Sequence, residues 1–262
     1  MTSARASSLR RSASDDRVRF HRIQQLRAHE YVAEQIRRHL ALRLIAPGEA
    51  LPSERELTSM FGVGRPTIQR ALQLLEGDHL VETRRGRTGG TFVSLPAEDS
   101  VVMEELILRI LRRREEIEEL LEYRRTLEPR VCALAAEARR KDDLAAMRRE
   151  LAGMSSAVSE PDYMHHDTQF HLAIARATGN RRFGRAVEEI RAELNDVISL
   201  LPESDTWHRR ISGEHEAILA ALEARDGPAA EAAMDLHVAN SDQGIRAALV
   251  VIRRWRGRGR QR

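Results

Sequence analysis

Two neighbouring stretches decide the fold of the N-terminal part of the chain: Leu51-Pro52-Ser53-Glu54-Arg55-Glu56-Leu57 and Phe61-Gly62-Val63-Gly64-Arg65-Pro66-Thr67. Ser53 and Glu56 form the pattern of a capping box, in which each side chain bonds a backbone N–H that has no partner in the first turn of a helix. Gly62 suits the left-handed position that ends a helix. Pro66 is tolerated in a first turn, because the N–H that it lacks would have no helical partner there. The two stretches therefore predict two short helices joined by a tight turn, the second over residues 65–75.

Apolar periodicity extends this unit on its N-terminal side. Over residues 27–44 apolar side chains recur at helical spacing, and Pro47-Gly48 ends the pattern. The apolar stripe of the helix at 65–75 consists of Ile68, Ala71, Leu72 and Leu75. The other residues of that helix are polar and are left to face outward. Such a group of helices is typical of a helix-turn-helix.

A hairpin is predicted after the third helix. Residues 80–83 and 91–93 have the composition of short strands, and the loop between them contains three arginines and three glycines. A basic, glycine-rich hairpin that follows a helix-turn-helix has the pattern of a wing. We therefore predict a winged helix-turn-helix DNA-binding domain over residues 27–94.

The charge of the chain is unevenly distributed. Of its 262 residues 32% are charged and only 4% are aromatic, which favours helices with charged surfaces over a sheet. Residues 1–100 carry 16 basic and 12 acidic side chains, whereas residues 101–252 carry 21 and 28. This asymmetry indicates that only part of the molecule binds a polyanion such as DNA.

The composition also indicates the compartment. Cys132 is the single cysteine, so an internal disulfide is excluded, and no apolar run is long enough to cross a bilayer. The N-terminal segment lacks the apolar region of a secretory signal. We predict a cytoplasmic protein without a membrane partner, in which Cys132 is a buried structural thiol.

The C-terminal part is predicted to be entirely helical. After a predicted linker at residues 95–102, apolar residues recur with a helical period over 115–140, 141–154, 162–178, 181–200, 207–224 and 228–251. The interruptions between these stretches are short, so consecutive helices are expected to pack side by side. We predict that residues 103–252 form an all-α antiparallel helical bundle, which makes the protein mainly α.

Both ends of the chain are predicted to be disordered. Residues 1–26 are rich in Arg and Ser and lack apolar periodicity, which is typical of a disordered basic arm. Residues 253–262 contain six arginines and no acid and are predicted to form a disordered basic tail. The tail either adds salt-sensitive affinity for DNA or serves only to keep the terminus solvated.

Four polar residues fall at inward-facing positions of the predicted bundle. Asp167 and His171 are four residues apart and share a helix face, His215 lies among apolar residues of a later helix, and His237 lies on the last helix. Taken singly, each histidine is most simply a core or surface residue with satisfied hydrogen bonds. Together, one carboxylate and three imidazoles suit a divalent metal ion such as Zn, Ni or Mn.

The N-terminal segment resembles the GntR family of bacterial transcription regulators. The resemblance covers roughly residues 28–94 and rests on Pro47-Gly48-Glu49-Ala50, on the two stretches quoted at the outset and on Gly90-Thr91-Phe92-Val93. One position departs from the family pattern, since the family commonly has Arg-Glu where this chain has Gln69-Arg70. The resemblance implies that the helix at 65–75 enters the major groove of DNA.

The residues expected to contact DNA are Arg55, Arg65, Thr67, Gln69, Arg70 and Gly86. The guanidinium of Arg65 can pair with O6 and N7 of guanine, and an amide such as that of Gln69 matches the edge of adenine. By resemblance, Arg55 contacts DNA and Gly86 lets the wing approach the minor groove. The alternative for Arg55 and Arg70 is that both are solvated helix residues paired with nearby glutamates.

The C-terminal half resembles the FCD ligand-binding domain of the FadR-like subfamily of these regulators. The resemblance covers roughly residues 103–250 and rests on Glu122-Tyr123-Arg124-Arg125-Thr126-Leu127-Glu128, Asp167-Thr168-Gln169-Phe170-His171 and Glu214-His215-Glu216-Ala217-Ile218. In its metal-binding members, an Asp, a His four residues later and two further His hold the ion, and this chain has all four.

The same resemblance implies an effector site beside the metal. Arg124 matches an arginine that in such domains often points into the cavity, where it could supply the second half of a carboxylate clamp. The alternative is a surface ion pair with Glu122 or Glu128. Asn240, one turn after His237, is a second candidate for the pocket.

These observations predict a regulator, expected to be a repressor, whose binding to operator DNA is controlled by a small organic acid at a divalent metal. A single reading helix covers few base pairs, so a homodimer on a palindromic double-stranded operator is expected. A metal-dependent helical-bundle enzyme is the main alternative, although no zinc-protease motif or obvious general base is present. A second alternative is a DNA-binding dimer with a purely structural metal.

Overall fold

We describe a computed structural model of the chain, which covers residues 27–86, 89–94, 108, 110–157, 159–198 and 205–259. Its elements are α1 (Ala28–Ala41), α2 (Glu54–Phe61), α3 (Arg65–Gly77), β1 (Val81–Arg84), β2 (Gly90–Val93), α4 (Arg114–Ala138), α5 (Lys141–Ser156), α6 (Glu160–Ala177), α7 (Arg181–Ile198), α8 (Asp205–Ala224) and α9 (Gly227–Gly259). The predicted arm at residues 1–26 and the predicted linker at 95–102 lie outside the described residues. None of the described helices has the length and apolarity to cross a membrane.

The first three helices form around the caps that the sequence predicts. Ser53 accepts a hydrogen bond from the N–H of Glu56, whose side chain bonds back to the N–H of Ser53, and Gly62 ends α2 with a φ of 64°. Helix α3 begins with Pro66 in its first turn. Its buried stripe packs with α1 and the hairpin into one apolar core. The predicted winged helix-turn-helix fold is confirmed.

The hairpin pairs β1 and β2 antiparallel, with Val81 opposite Val93 and Arg84 opposite Gly90. Gly86 lies in the loop with a φ of 117°, a conformation that favours glycine. Gly89 is also required, because a Cβ there would lie 2.5 Å from the carbonyl oxygen of Arg84. The wing therefore depends on glycine for its turn.

Helices α4–α9 form the predicted all-α bundle. Helix α4 packs along α9, and α5 packs along α6, around a second and larger apolar core. Cys132 is fully buried in this core, and its burial raises the pKa of the thiol, so the thiol stays protonated and inert. The structural role expected for Cys132 agrees with this environment.

The last helix is longer than the sequence predicts. We expected helix to residue 251 and a disordered tail over 253–262, whereas α9 continues to Gly259. Arginine is a good helix former and the segment contains no proline, so nothing in its composition ends the helix after 251. The first seven residues of the predicted tail are therefore helical.

The DNA-binding domain rests against the bundle through the C-terminal end of α1. Asn195 of α7 donates to the carbonyl oxygen of Ala41 at 2.8 Å, and Arg38 of α1 pairs with Glu188 of α7 at 3.0 Å. The Nδ1 of His165 on α6 lies 2.6 Å from the carbonyl oxygen of Arg43. Helix α7 thus contacts the C-terminal end of α1, and α6 contacts the residues that follow it.

Candidate metal centre and nucleic-acid interface

Three helices bring the four candidate metal ligands together. Asp167 and His171 lie one turn apart on α6, His215 lies on α8 and His237 on α9. Each offers one ligand atom, and these atoms all lie within 4.8 Å of one another. All four residues are buried, the most exposed being Asp167 at 6%. The bundle therefore encloses the whole set predicted from sequence.

The donor atoms of this group face a common centre. One carboxylate oxygen of Asp167 lies 3.0 Å from Nε2 of His215 and 3.9 Å from Nε2 of His171. Within the described part of the chain, the buried Nε2 of His171 has no hydrogen-bond partner. A buried imidazole nitrogen is costly to leave without a partner. Three imidazoles and a carboxylate fit a divalent ion of borderline softness, which would satisfy that nitrogen.

A second set of side chains orients two of the histidines. Glu128 of α4 lies 2.5 Å from Nδ1 of His171, and Glu214 of α8 lies 3.2 Å from Nδ1 of His237. A carboxylate at Nδ1 holds the proton there and leaves Nε2 with a lone pair for a metal. Both rings are therefore held in the tautomer that ligation requires.

Electrostatics keeps Glu128 and His237 in the protonation states that ligation needs. Burial alone would raise the pKa of Glu128, but its contacts with His171 and Arg124 outweigh burial and hold that pKa far below its usual range. Burial, followed by the proximity of His215 and His171, lowers the pKa of His237 well below its ordinary value. Glu128 is thus ionised and His237 neutral at pH 7, and neutral imidazole is the form that binds metal.

The structure adds Arg191 of α7, which sequence reasoning missed. Arg191 is buried, and its Nη2 donates to Oδ2 of Asp167. Burial, and then the charge of Arg124, lowers the pKa of Arg191 to about 9, so it remains charged at pH 7. A signal existed, because Arg191 falls on the apolar face of α7 beside the buried Val187, Ile190 and Leu194. In a chain rich in arginine, that inward position is the only local feature that distinguishes it.

Arg124 is buried beside the same centre. Its Nε donates to Glu128 at 2.9 Å, and its Nη1 donates to Ser241 at 3.1 Å and to Asp242 at 3.2 Å. Among the described residues, its Nη2 is buried without a hydrogen-bond partner. The alternative of an ion pair with Glu128 is therefore realised, but inside the bundle and not at the surface.

A narrow cavity connects Arg124 to the ligand group. The residues that line it are Arg124, Tyr163, Met164, Asp167, Arg191, Ile198, His237 and Ser241. A water-sized sphere can occupy about 10 Å³ of it, which is room for about one water molecule. Asn240 is not among these described lining residues. We expected Asn240 in the pocket. Its amide instead donates to Glu214 at 2.6 Å, so Asn240 positions the carboxylate that bonds His237.

The residues expected to contact DNA lie on α2, on α3 and in the hairpin loop. Arg55, Arg65, Gln69 and Arg70 are exposed, Thr67 is half-buried, and Gly86 lies in the exposed hairpin loop. The side chain of Arg65 is 72% exposed, and its Nε donates to Glu54 at 2.8 Å. The Nε2 of Gln69 donates to the same oxygen of Glu54 at 3.1 Å. Helix α3 thus presents an exposed polar face.

Comparison with known proteins identifies both halves. Residues 28–93 match the family model for bacterial regulatory proteins of the gntR family, and residues 119–240 match the FCD domain. The regulator LutR of Bacillus subtilis is 33% identical over 209 residues, which cover 75% of this chain and 91% of LutR. The chain belongs to the GntR family. It is therefore a DNA-binding transcription regulator with an FCD domain, and the metalloenzyme alternative is set aside.

Two further similarities agree with this assignment. The transcriptional repressor NanR of Cronobacter sakazakii is 28% identical over 214 residues, covering 80% of this chain and 82% of NanR. The structure of E. coli McbR/YncC superposes with a TM-score of 0.53 at 17% identity, covering 85% of this chain and 99% of that one. The latter similarity supports the fold alone.

Proposed function

We propose that this GntR regulator is a cytoplasmic repressor whose operator binding is controlled by a small organic acid bound at a divalent metal in the bundle. The observation that carries the proposal is the buried group of four donor side chains whose ligand atoms lie within 4.8 Å of one another. Among the described residues, the buried Nε2 of His171 has no hydrogen-bond partner, and a buried polar atom without a partner is costly in a folded core. An ion at the centre of the group would bind that nitrogen and offset the cost.

Asp167, His171, His215 and His237 are the residues that would hold the ion. Zn, Ni or Mn held by these residues would act as a Lewis acid that binds a carboxylate of the effector. Glu128 and Glu214 would not bind the ion themselves. Each holds the proton of a ligand histidine on Nδ1, which leaves Nε2 for the ion. Arg191 donates to the carboxylate of Asp167 and would balance its charge beside the ion.

Arg124 is the group proposed to bind the effector. Its free Nη2 is buried in the wall of the cavity that also contains Asp167 and His237. Guanidinium pairs strongly with carboxylate, and a metal beside it makes the site selective for an acid. The cavity holds about one water, so an organic acid can enter only if its walls on α4, α6, α7 and α9 move apart.

Helix α7 is the proposed route from the cavity to the DNA-binding domain. Glu188, Arg191 and Asn195 share one face of α7 because they are spaced at helical intervals. Arg191 bonds the ligand Asp167, whereas Glu188 and Asn195 bond α1 of the DNA-binding domain. Displacement of α7 by an effector would therefore move α1, and the population of DNA-competent molecules would shift.

A homodimer on a palindromic operator is proposed on general grounds. One reading helix contacts only a few base pairs, and two-fold symmetry doubles the site. Repression is proposed from similarity to a relative that is named a repressor, NanR. A repressor that binds its operator as a dimer would be expected to release the DNA when the effector enters the cavity.

Titration calorimetry on the full chain, stripped of metal with a chelator, tests the metal site. The wild type should bind one Zn, Ni or Mn ion per chain, and the double variant His171→Ala/His215→Ala should lose that binding. His39→Ala removes an exposed histidine of α1 and should bind as the wild type does. Metal binding that survives in the double variant would exclude the site.

Control by an effector needs a separate experiment. An operator is first selected from a random duplex library with the metal-loaded full chain, and its binding is then measured against a panel of small carboxylates. At least one acid should weaken binding in the wild type and fail to do so in Arg124→Lys, which retains the charge but not the fork geometry. DNA binding that no acid alters would assign the metal a purely structural role.

A further inference from the structure

Glu54 joins two side chains of the DNA-reading surface. It is the first residue of α2, and its Oε2 accepts from Nε of Arg65 at 2.8 Å and from Nε2 of Gln69 at 3.1 Å. Arg65 and Gln69 lie one turn apart on α3, and both are exposed. A single carboxylate oxygen on one helix therefore holds two polar side chains of the next.

This arrangement does not serve stability or affinity. Glu54 and Arg65 are 36% and 72% exposed, and an ion pair at such a surface contributes little to folding. A carboxylate on a surface that meets phosphates opposes binding to any DNA sequence. What the carboxylate supplies is the orientation of its two partners.

The orientation of Arg65 and Gln69 decides which of their atoms remain available to bond DNA bases. With its Nε bonded to Glu54, Arg65 keeps both Nη groups for the paired bond to O6 and N7 of guanine. A carboxylate only accepts hydrogen bonds, so the amide nitrogen of Gln69 must face Glu54. The amide oxygen of Gln69 then faces away, where it can accept from N6 of adenine or N4 of cytosine.

We propose that Glu54 is a specificity-determining residue that selects operators by fixing Arg65 and Gln69. The inference rests on the proposed base contacts of those two residues. Gln69 stands where the family commonly has an arginine, so Glu54 holds a position at which this chain departs from the family pattern. Without Glu54, Arg65 and Gln69 would reach several bases and discriminate among them poorly.

The test compares specific and nonspecific binding of the full chain. A consensus duplex selected from a random library by the wild type and a scrambled duplex are titrated with the wild type and Glu54→Ala. The ratio of the two affinities should fall about tenfold in the variant, within the range of one base contact, while affinity for the scrambled duplex is unchanged or higher. Retained binding to the scrambled duplex shows that the variant is folded.

Two further variants distinguish the role of Glu54 from the base contact of Arg65. Asp78→Asn removes an exposed acid that pairs with Arg37, away from α2, and should leave the ratio unchanged. Arg65→Ala should lower the ratio, and Glu54→Ala should add no further loss at the base read by Arg65. Unchanged specificity in Arg65→Ala would overturn the base contact itself. Lost specificity in Arg65→Ala with an unchanged ratio in Glu54→Ala would overturn only the role of Glu54.

Discussion

The two halves of this chain place their functional side chains in opposite environments. On the DNA-binding domain, Arg65 and Gln69 are exposed and both donate to Glu54. In the bundle, Arg124 and Asp167 are buried and belong to a continuous set of charged groups. The exposed surface can change its residues with little effect on folding, whereas the buried set ties function to stability.

The largest expected effect follows from removing a buried charge. Arg124→Ala leaves Glu128 and Asp242 without the guanidinium that both contact, so the free energy of unfolding should fall by about 3–5 kcal/mol. Burial already raises the pKa of Asp242 to about 6 against the opposing charge of Arg124. Without Arg124 the native carboxylates would bind protons more tightly than the unfolded chain does. The loss should therefore be smaller at pH 5 than at pH 8 in urea titrations.

Arg125 provides the matched control for this change. It is the next residue on α4, its side chain is 59% exposed, and its Nε lies 3.6 Å from Asp235. Arg125→Ala should change the free energy of unfolding by less than about 1 kcal/mol. Equal losses in the two variants would remove the contrast between buried and exposed charge on which the comparison depends.

A second prediction concerns the orientation of a metal ligand. Glu128→Gln retains the size of the side chain but removes the carboxylate beside Nδ1 of His171. Affinity for the metal, measured by calorimetry, should fall about 10–100-fold, because such partners fix the ligating tautomer. Glu122→Gln, at an exposed position on the same helix, should leave metal affinity unchanged. A matching fall in both variants would point to the overall charge of α4 and not to His171.

The sequence predicted the DNA-binding domain in detail because its signals are local. The capping box at Ser53, the left-handed Gly62 and the proline in the first turn of α3 each act on their own helix end. Such features depend on neighbours within four residues, so they can be recognised before any tertiary contact is known. The pairing of Glu54 with Arg65 spans two helices and could not be recognised in this way.

In the bundle, periodicity predicted the helices and the four ligand positions but not their partners. Glu128 and His171 are 43 residues apart in sequence, and Arg191 and Asp167 are 24 apart. Nothing in the spacing of one helix indicates which charge of another will face it. For Asn240, the spacing from His237 indicated a position near the pocket but not its partner, which is Glu214.

A third prediction tests the bond that joins the two regions. Asn195 of α7 bonds both Ala41 in the DNA-binding domain and Thr168, the neighbour of Asp167. Asn195→Ala should leave metal affinity unchanged but reduce the effect of metal and effector on operator binding by about 1–3 kcal/mol, the usual scale of coupling between sites. Glu189→Ala, exposed on the same helix, is the control. Coupling that persists in Asn195→Ala would show that the signal reaches α1 by another path.

The smallest expected effect lies in the local signals of the DNA-binding domain. Ser53→Ala removes the acceptor for the N–H of Glu56 and should lower the free energy of unfolding by about 1 kcal/mol. The hydrogen bonds from Ser53 lower the pKa of Glu56, so the capping box contributes stability above the unfolded pKa and loses it as the pH falls through the native one. The deficit of Ser53→Ala should therefore shrink below about pH 4.

Ser59→Ala makes the same replacement at an exposed position inside α2, where alanine is the better helix former and should stabilise the protein slightly. If the free energy of unfolding falls in Ser53→Ala and rises in Ser59→Ala, the position of the serine in the helix, and not the residue type, carries the signal that the sequence shows.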